Sequence, residues 1–283
     1  RPDSKIHILC KSGYVSFLES LKLADEVIAL PQNKGLKYYI ELTKLRSYRH
    51  DAILVLTNSL RGDIESKLLG VEYRLGMITN QKRPLLNYQF QVPPELKDKH
   101  QLSVWFGMLA KYSHFGPHQK EHFCDSIGRR NSKSKTVLVA PGSLNSPAKR
   151  LPVEYWAKIL HLIDQKISGL SFKIIGTSAE SKICDDLYSQ VQISLCENLC
   201  GKTSLVELSK ELKGAKCLLC NDSGAMHLAN FLGTPVVAFF FVTDAQVTGP
   251  IFNAKSSIIE GDFHLNLVSL NQIVDSIINF EKS

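Results

Sequence analysis

The sequence predicts an α/β protein made of two halves, each a parallel sheet covered by helices. Three observations carry that expectation. From residue 5 onward, short apolar runs of strand length alternate with stretches of helical periodicity. A polar stretch over residues 116–135 interrupts the alternation, which then restarts. At 283 residues, with 44% hydrophobic and 22% charged residues, the chain has the size and composition for two globular domains. No apolar run approaches the ~20 residues needed to span a membrane.

Residues 5–10 read as a short buried strand, and 14–21 carry apolar residues at helical spacing. Residues 27–30 form the next strand, closed by Pro31. A helix over 36–49 leads to a third strand, 52–56. Residues 58–63 open a helix toward Leu69, and 70–76 fit a short strand that presents Arg74. Such repeats predict parallel strands joined by right-handed crossovers. From 79 to 99 the sequence is polar and broken by Pro84, Pro93 and Pro94, which predicts an irregular loop or lid. A helix over 102–112 follows, with Trp105 and Phe106 against the sheet.

The second half opens with a strand, 136–140, and a glycine- and hydroxyl-rich loop, 141–147, that holds Ser143 and Asn145. Lys149 and Arg150 precede a helix over 153–167. A strand over 172–175 ends in a polar turn reaching Glu180, and a helix follows over 181–190. A strand is expected over 191–195 and a helix over 204–213. The apolar run 215–220 leads into Asn221-Asp222-Ser223-Gly224, a short helix, and a strand from Val236. Residues 268–280 form a last amphipathic helix with Leu270, Ile273, Ile277 and Phe280 on one face.

Chemistry concentrates at the strand ends of this second half. Asp222 and Ser223 are helix-capping residues, and Gly224 lets a ligand approach the backbone. A helix start with free N–H groups suits a phosphate. Ser223 and His227 are four residues apart, hence on one helical face. Alone, this stretch is equally a capped helix with a core histidine. Two further strand ends, 143–149 and 177–180, can line the same crevice, because open α/β sheets bind ligands at their carboxyl edge. Lys149 can place a point charge on a diphosphate there, with Ser143 and Ser223 completing the cradle.

The stretch Asn221-Asp222-Ser223-Gly224-x-Met226-His227-Leu228-Ala229, with residues 232–238 behind it, closely resembles glycosyltransferase family 9, the ADP-heptose:lipopolysaccharide heptosyltransferases. Two further blocks agree in order and spacing: Ala140-Pro141-Gly142-Ser143 through Tyr155-Trp156-Ala157, and residues 199–208. The resemblance implies a GT-B fold, two Rossmann-like domains facing a cleft. It assigns 1–130 to an acceptor-side domain and 131–283 to a nucleotide-sugar domain. It implies an inverting transfer of heptose, or a related sugar, from an ADP-sugar to a lipopolysaccharide inner-core acceptor. Lys149 is the catalytic residue it implies, acting on the departing diphosphate. Ser143, Asn145, Glu180, Lys202, Thr203, Asp222, Ser223, Gly224 and His227 are the expected substrate contacts, and no cofactor is implied. A cytoplasmic location follows, with room for peripheral association with the inner membrane. The sequence departs from the family at the front. Its first strand aligns with the family's second, so the first βα unit of the N-terminal domain, with its Gly-Asp loop, is expected to be missing. Asp63, in Arg61-Gly62-Asp63, has the right dipeptide after the wrong strand and reads as a helix cap. Other GT-B transferases and a non-catalytic sugar-nucleotide-binding protein remain alternatives.

Net charge is +7, which favours anionic partners such as a nucleoside diphosphate. The one basic cluster, 128–135, is interspersed with Gly, Asn and Ser and reads as a solvated linker. No nucleic-acid motif accompanies it. Seven cysteines without regular spacing fit reduced thiols. Cys217 and Cys220 are three apart in a strand and point to opposite faces, so a zinc site with Cys196 and Cys200 is not expected.

Overall fold

Parallel pairing runs through every sheet of the computed structural model, which describes residues 3–78, 82–97, 99–112, 127, 134–144, 146–261 and 267–280. The chain divides into two units, Arg1–Lys120 and Glu121–Ser283. Most of the expected boundary stretch, including residues 128–133 of the basic cluster, lies outside the described residues.

The first unit contains β1 (His7–Cys10), α1 (Ser12–Leu21), β2 (Glu26–Ala29), α2 (Leu36–Lys44), β3 (Ala52–Val55), α3 (Leu60–Leu68), β4 (Tyr73–Ile78), β5 (Tyr88–Gln91), α4 (Pro94–Lys97) and α5 (Gln101–Tyr112). A 3₁₀ turn over Leu45–Tyr48 ends α2 short of the expected Arg49, which takes a left-handed conformation. The strands form two sheets, β1-β2 and β3-β4-β5. Both rest on one apolar cluster, in which Tyr38, Leu42, Leu69 and Val71 meet Leu9, Leu30 and Ile53. β1 and β3 each keep one edge without a described partner strand. A doubly wound order would put one more strand between them. No described residue fills that place.

The expected loop or lid over 79–99 is corrected: its described part holds β5 and α4. Phe90 is buried against Met77, Val104 and Met108, and β5 pairs in parallel with β4. The prolines bracket this strand rather than break it, and Pro94 opens α4, where its missing N–H costs nothing. Asp63 is not a helix cap either. Ser59 caps α3, accepting from Gly62 N at 3.2 Å. The Asp63 carboxylate is buried against Arg83, whose Nε lies 3.1 Å from both its oxygens.

The second unit contains β6 (Thr136–Ala140), α6 (Val153–Lys166), β7 (Ser171–Ile174), α7 (Ser181–Gln190), β8 (Cys196–Asn198), α8 (Leu205–Gly214), β9 (Cys217–Asn221), α9 (Gly224–Phe231), β10 (Val236–Phe240), α10 (Ala245–Thr248), β11 (Ser256–Glu260) and α11 (Leu267–Asn279). The strand expected over 191–195 instead forms as β8, whose Cys196 stands opposite Phe172 of β7. The sheet order is β11-β10-β9-β6-β7-β8. From β6 the chain builds outward through β7 and β8, then returns to the other side of β6 with β9. The β6–β9 boundary is therefore the topological switch point, where open sheets of this kind take ligands.

Both faces of the sheet are covered. Val137, Val139, Phe172, Cys217, Leu219 and Phe239 face α6 and α11 through Trp156, Leu160, Ile163, Ile273 and Ile277. The alternate residues, Leu138, Leu218, Cys220 and Ala238, face Leu212 of α8 and Met226 and Ala229 of α9. Cys217 and Cys220 thus enter opposite layers, as their spacing in a strand requires. Apolar runs buried on both sides are the mark of a parallel sheet.

Candidate functional site

At the switch point, the carboxyl ends of β6 and β9 are stitched together by Asn221, the last residue of β9. Its side chain is wholly buried. Asn221 Nδ2 donates to the carbonyls of Pro141 (2.7 Å) and Gly142 (3.3 Å), and its Oδ1 accepts from Leu151 N at 3.1 Å. One carboxamide therefore fixes both ends of the loop that follows β6. Within that loop Ser143 is buried, and its carbonyl accepts from Arg150 Nε (3.2 Å) and Nη2 (3.1 Å). Asn145 lies outside the described residues.

Lys149 ends the 3₁₀ turn Pro147–Lys149 and reaches Asp222, Nζ to Oδ2, at 2.5 Å. Asp222 is 5% exposed, so its charge needs partners. It has a second one in Thr243, whose Oγ1 donates to the same Oδ2 at 2.8 Å. Thr243 stands just beyond β10, next to β9 in the sheet.

Ser223 precedes α9 in extended conformation but makes no side-chain cap. Its Oγ is buried and has no hydrogen-bond partner. Leaving such a group unpaired costs about 1–3 kcal/mol, and this hydroxyl is available to bond an incoming group. A Cβ placed on the next residue, Gly224, would meet nothing within 4 Å, so the start of α9 is open. His227 is half-buried one turn further along the helix.

On the other side of β6, the turn after β7 carries Glu180. Thr177 and Glu180 form a capping box, with Glu180 Oε2 accepting from Thr177 N (2.9 Å) and Oγ1 (2.8 Å). A side chain at Gly142 would run into the Glu180 carboxylate, so the loop after β6 lies directly over it. Next comes the turn after β8. Gly201 N donates to Gly176 O at 2.9 Å, and the Gly201 backbone lies against Ser178. Gly201 has φ +69°, and this close approach favours glycine. Lys202 Nζ donates to Asn198 O at 2.8 Å, and Thr203 is half-buried beside it. The turns after β10, β9, β6, β7 and β8 so form one continuous rim in sheet order.

The rim suits an anion held by a lysine, a serine hydroxyl and a helix start. Thiol chemistry does not suit it. Burial, and then the Asp222 charge, pushes Cys220 well above the usual thiol range. Burial also raises Cys200, beside Thr177. Both stay protonated near neutral pH, and the thiol is the unreactive form. Among the described residues, no group of three or more His, Cys, Asp or Glu could hold a metal ion.

The sequence profile of glycosyltransferase family 9 (heptosyltransferase) matches residues 42–265. The chain belongs to that family. Lipopolysaccharide heptosyltransferase 2 of Escherichia coli (strain K12) is 23% identical over 279 residues, covering 88% of this chain and 78% of the relative. Among solved structures, E. coli ADP-heptose lps heptosyltransferase II superposes with a TM-score of 0.77 at 20% identity, over 99% of this chain and 90% of that one. E. coli heptosyltransferase WaaC with ADP gives 0.75 at 18% identity, over 99% and 91%. The fold is the GT-B fold of these glycosyltransferases, and this family member is an α/β glycosyltransferase.

Of the residues expected from the family motif, the structure gathers Ser143, Lys149, Glu180, Asp222, Ser223 and Gly224 along β9, β6 and β7. Lys202 and Thr203 stand one strand further out. In the first unit, the Arg74 side chain is spent on backbone carbonyls. Its Nε donates to Leu85 O at 2.8 Å and its Nη1 to Val71 O at 2.6 Å. Three residues of this family member were not singled out by sequence: Asn221, Arg150 and Thr243. Asn221 and Arg150 lie inside quoted motifs, but their bonds span the loop and only the fold reveals them. Thr243 follows a strand end at the ligand edge, and that position was a usable signal.

Proposed function

We propose that the protein transfers a heptose, or a related sugar, from an ADP-sugar to an inner-core acceptor of lipopolysaccharide, with inversion at the sugar carbon. The observation that carries this reading is the Lys149–Asp222 pair beside the unpartnered Ser223 hydroxyl at the open start of α9. A cation, a hydroxyl and helix N–H groups meet where a diphosphate must depart. The family membership, and relatives whose names specify heptosyltransferases, supply the sugar and the acceptor. ADP enters as the nucleotide of a solved structural neighbour.

In this mechanism the acceptor hydroxyl oxygen forms a bond to the sugar carbon as that carbon's bond to the diphosphate oxygen breaks. The electron pair leaves with ADP. Lys149 and the first N–H groups of α9 stabilise that charge as it develops, which is the form of electrostatic help that lowers a barrier rather than only binding substrate. Ser143, Ser223 and His227 hold the phosphates, and Glu180 the sugar or ribose hydroxyls. Lys202 and Thr203 are assigned to the adenine side. The proton of the acceptor hydroxyl goes to a base that we do not assign to Asp63, since Arg83 closes over that carboxylate. Residues 131–283 would hold the donor and residues 1–130 the acceptor, at the cytoplasmic face of the inner membrane.

Calorimetric titration of the chain with ADP and with UDP tests the donor assignment, and release of ADP from ADP-heptose in the presence of a lipopolysaccharide core acceptor tests the transfer. Saturable heat with ADP and weaker heat with UDP is expected. Preference for UDP would overturn the nucleotide assignment. Binding of ADP-heptose without acceptor-dependent release would leave a sugar-nucleotide-binding protein.

A further inference from the structure

Resting on the donor reading above, we infer that Thr243 is a positioning residue that keeps Asp222 in place while Lys149 passes from Asp222 to the donor diphosphate. In the structure one carboxylate oxygen, Asp222 Oδ2, accepts both Lys149 Nζ at 2.5 Å and Thr243 Oγ1 at 2.8 Å. The two donors arrive from opposite sides of β9, one from the loop after β6 and one from the turn after β10.

The two donors are not equivalent. Lys149 sits on a flexible four-carbon stem, and its side chain is 23% exposed against 6% for Asp222. A strongly charged diphosphate competes for such an ammonium, which has three protons to share. Thr243 carries its hydroxyl on a single-carbon stem, with one χ1 torsion to set it. Its turn is pinned by the next residue, Asp244, which caps α10 by accepting from Gln246 N at 2.7 Å. The carbonyl of Asp244 also accepts from Val247 N at 3.1 Å.

A nearly buried carboxylate with no partner is costly, and a diphosphate arriving beside it adds like-charge repulsion. If Lys149 were its only donor, Asp222 would hold the lysine and resist its transfer. With the Thr243 hydroxyl on the same oxygen, Asp222 keeps a hydrogen bond through the exchange. Thr243 thus sets how readily the site gives up its lysine. It touches neither the nucleotide nor the sugar in this reading, so it acts on phosphate binding through Asp222.

The test compares Thr243→Val and Thr243→Ser with the unaltered chain for affinity toward ADP and adenosine, by titration followed through backbone NMR shifts. Valine keeps the shape and removes the donor. ADP should bind about tenfold or more weakly to T243V, the scale of a lost hydrogen bond to a charged group. Adenosine affinity should stay unchanged, and T243S should restore ADP binding. Equal weakening of ADP and adenosine would assign Thr243 a purely structural role and overturn the inference, as would ADP affinity unchanged by T243V. Should T243V fail to fold, T243A replaces it, with the same expected and overturning outcomes. Failure of the unaltered chain to bind ADP would refute the donor reading itself and this inference with it, whereas normal ADP binding without the T243V effect refutes the inference alone.

Discussion

Lys149 and Asp63 each face an oppositely charged partner, with opposite consequences for mutation. Lys149 is partly exposed and its pair lies at the ligand edge of the sheet. Replacing it with alanine should weaken ADP binding by ~1.5–3 kcal/mol, the range for a hydrogen bond involving a charged group. The fold should survive, because Asp222 retains Thr243. An unchanged dissociation constant in a folded Lys149→Ala chain would make it a structural lysine. Asp63 is the reverse case, 2% exposed and enclosed by Arg83, which also donates to Met77 O at 2.8 Å and Thr57 O at 2.7 Å. Asp63→Ala strands a buried guanidinium and should cost about 3–5 kcal/mol. Chemical denaturation should show this, and Arg83→Met in the same chain should recover much of it. A D63A chain of normal stability would contradict the buried pair. The local shape of the candidate site was legible in sequence, because Asp222, Ser223 and Gly224 follow a strand in a helix-starting order, whereas the partners of Asp222, Lys149 and Thr243, come from elsewhere in the chain. Asn221 was not legible, because its function is to bridge to residues 70–80 positions away. No spacing in a single sequence encodes such a bond.

The elements that sequence located best are those buried on both faces. β6, β9 and β10 are continuous apolar runs with capped helices between them, such as α8, whose Ser204–Glu207 capping box matches the expected helix start. β5 was missed because three prolines and a polar composition outweighed the alternation of Tyr88 and Phe90. β8 was displaced because Val191 and Ile193 carry the apolar signal while Cys196–Asn198 carries the pairing. The edges also differ between units. In the second unit, β6 and β9 are paired on both sides. In the first, β1 and β3 are paired on one side only. Hydrogen exchange should therefore separate them: amides of β6 and β9 should open only with global unfolding, while β1 and β3 should exchange orders of magnitude faster. Equal protection would mean that the free edges are covered in solution.

At the scale of the whole molecule, exposed apolar side chains are distributed unevenly. Twelve of the seventeen large apolar residues that are exposed among the described residues precede residue 121, including Leu36 at 77%, Leu60 at 67% and Leu56 at 62%. Leu54 in β3 and Leu56 just beyond it are exposed, while Val55 between them is buried. The second unit places its large side chains inside, with Trp156, Phe172 and Phe239 fully buried. Stability should follow that distribution, since a unit with open sheet edges and exposed leucines buries less apolar area per residue. Apart from cuts in the expected linker, 116–135, limited trypsin digestion under native conditions should cut first within residues 1–115 and leave a resistant fragment lying within 121–283, identifiable by mass spectrometry. Lysine and arginine occur throughout the chain, so the order of cleavage reports local opening rather than the supply of sites. ADP should slow the later cleavage of that fragment, because a ligand that binds only the folded form stabilises it by mass action. A resistant fragment from residues 1–120 would show that the split sheet is the more stable part, and the reading of its open edges would fail.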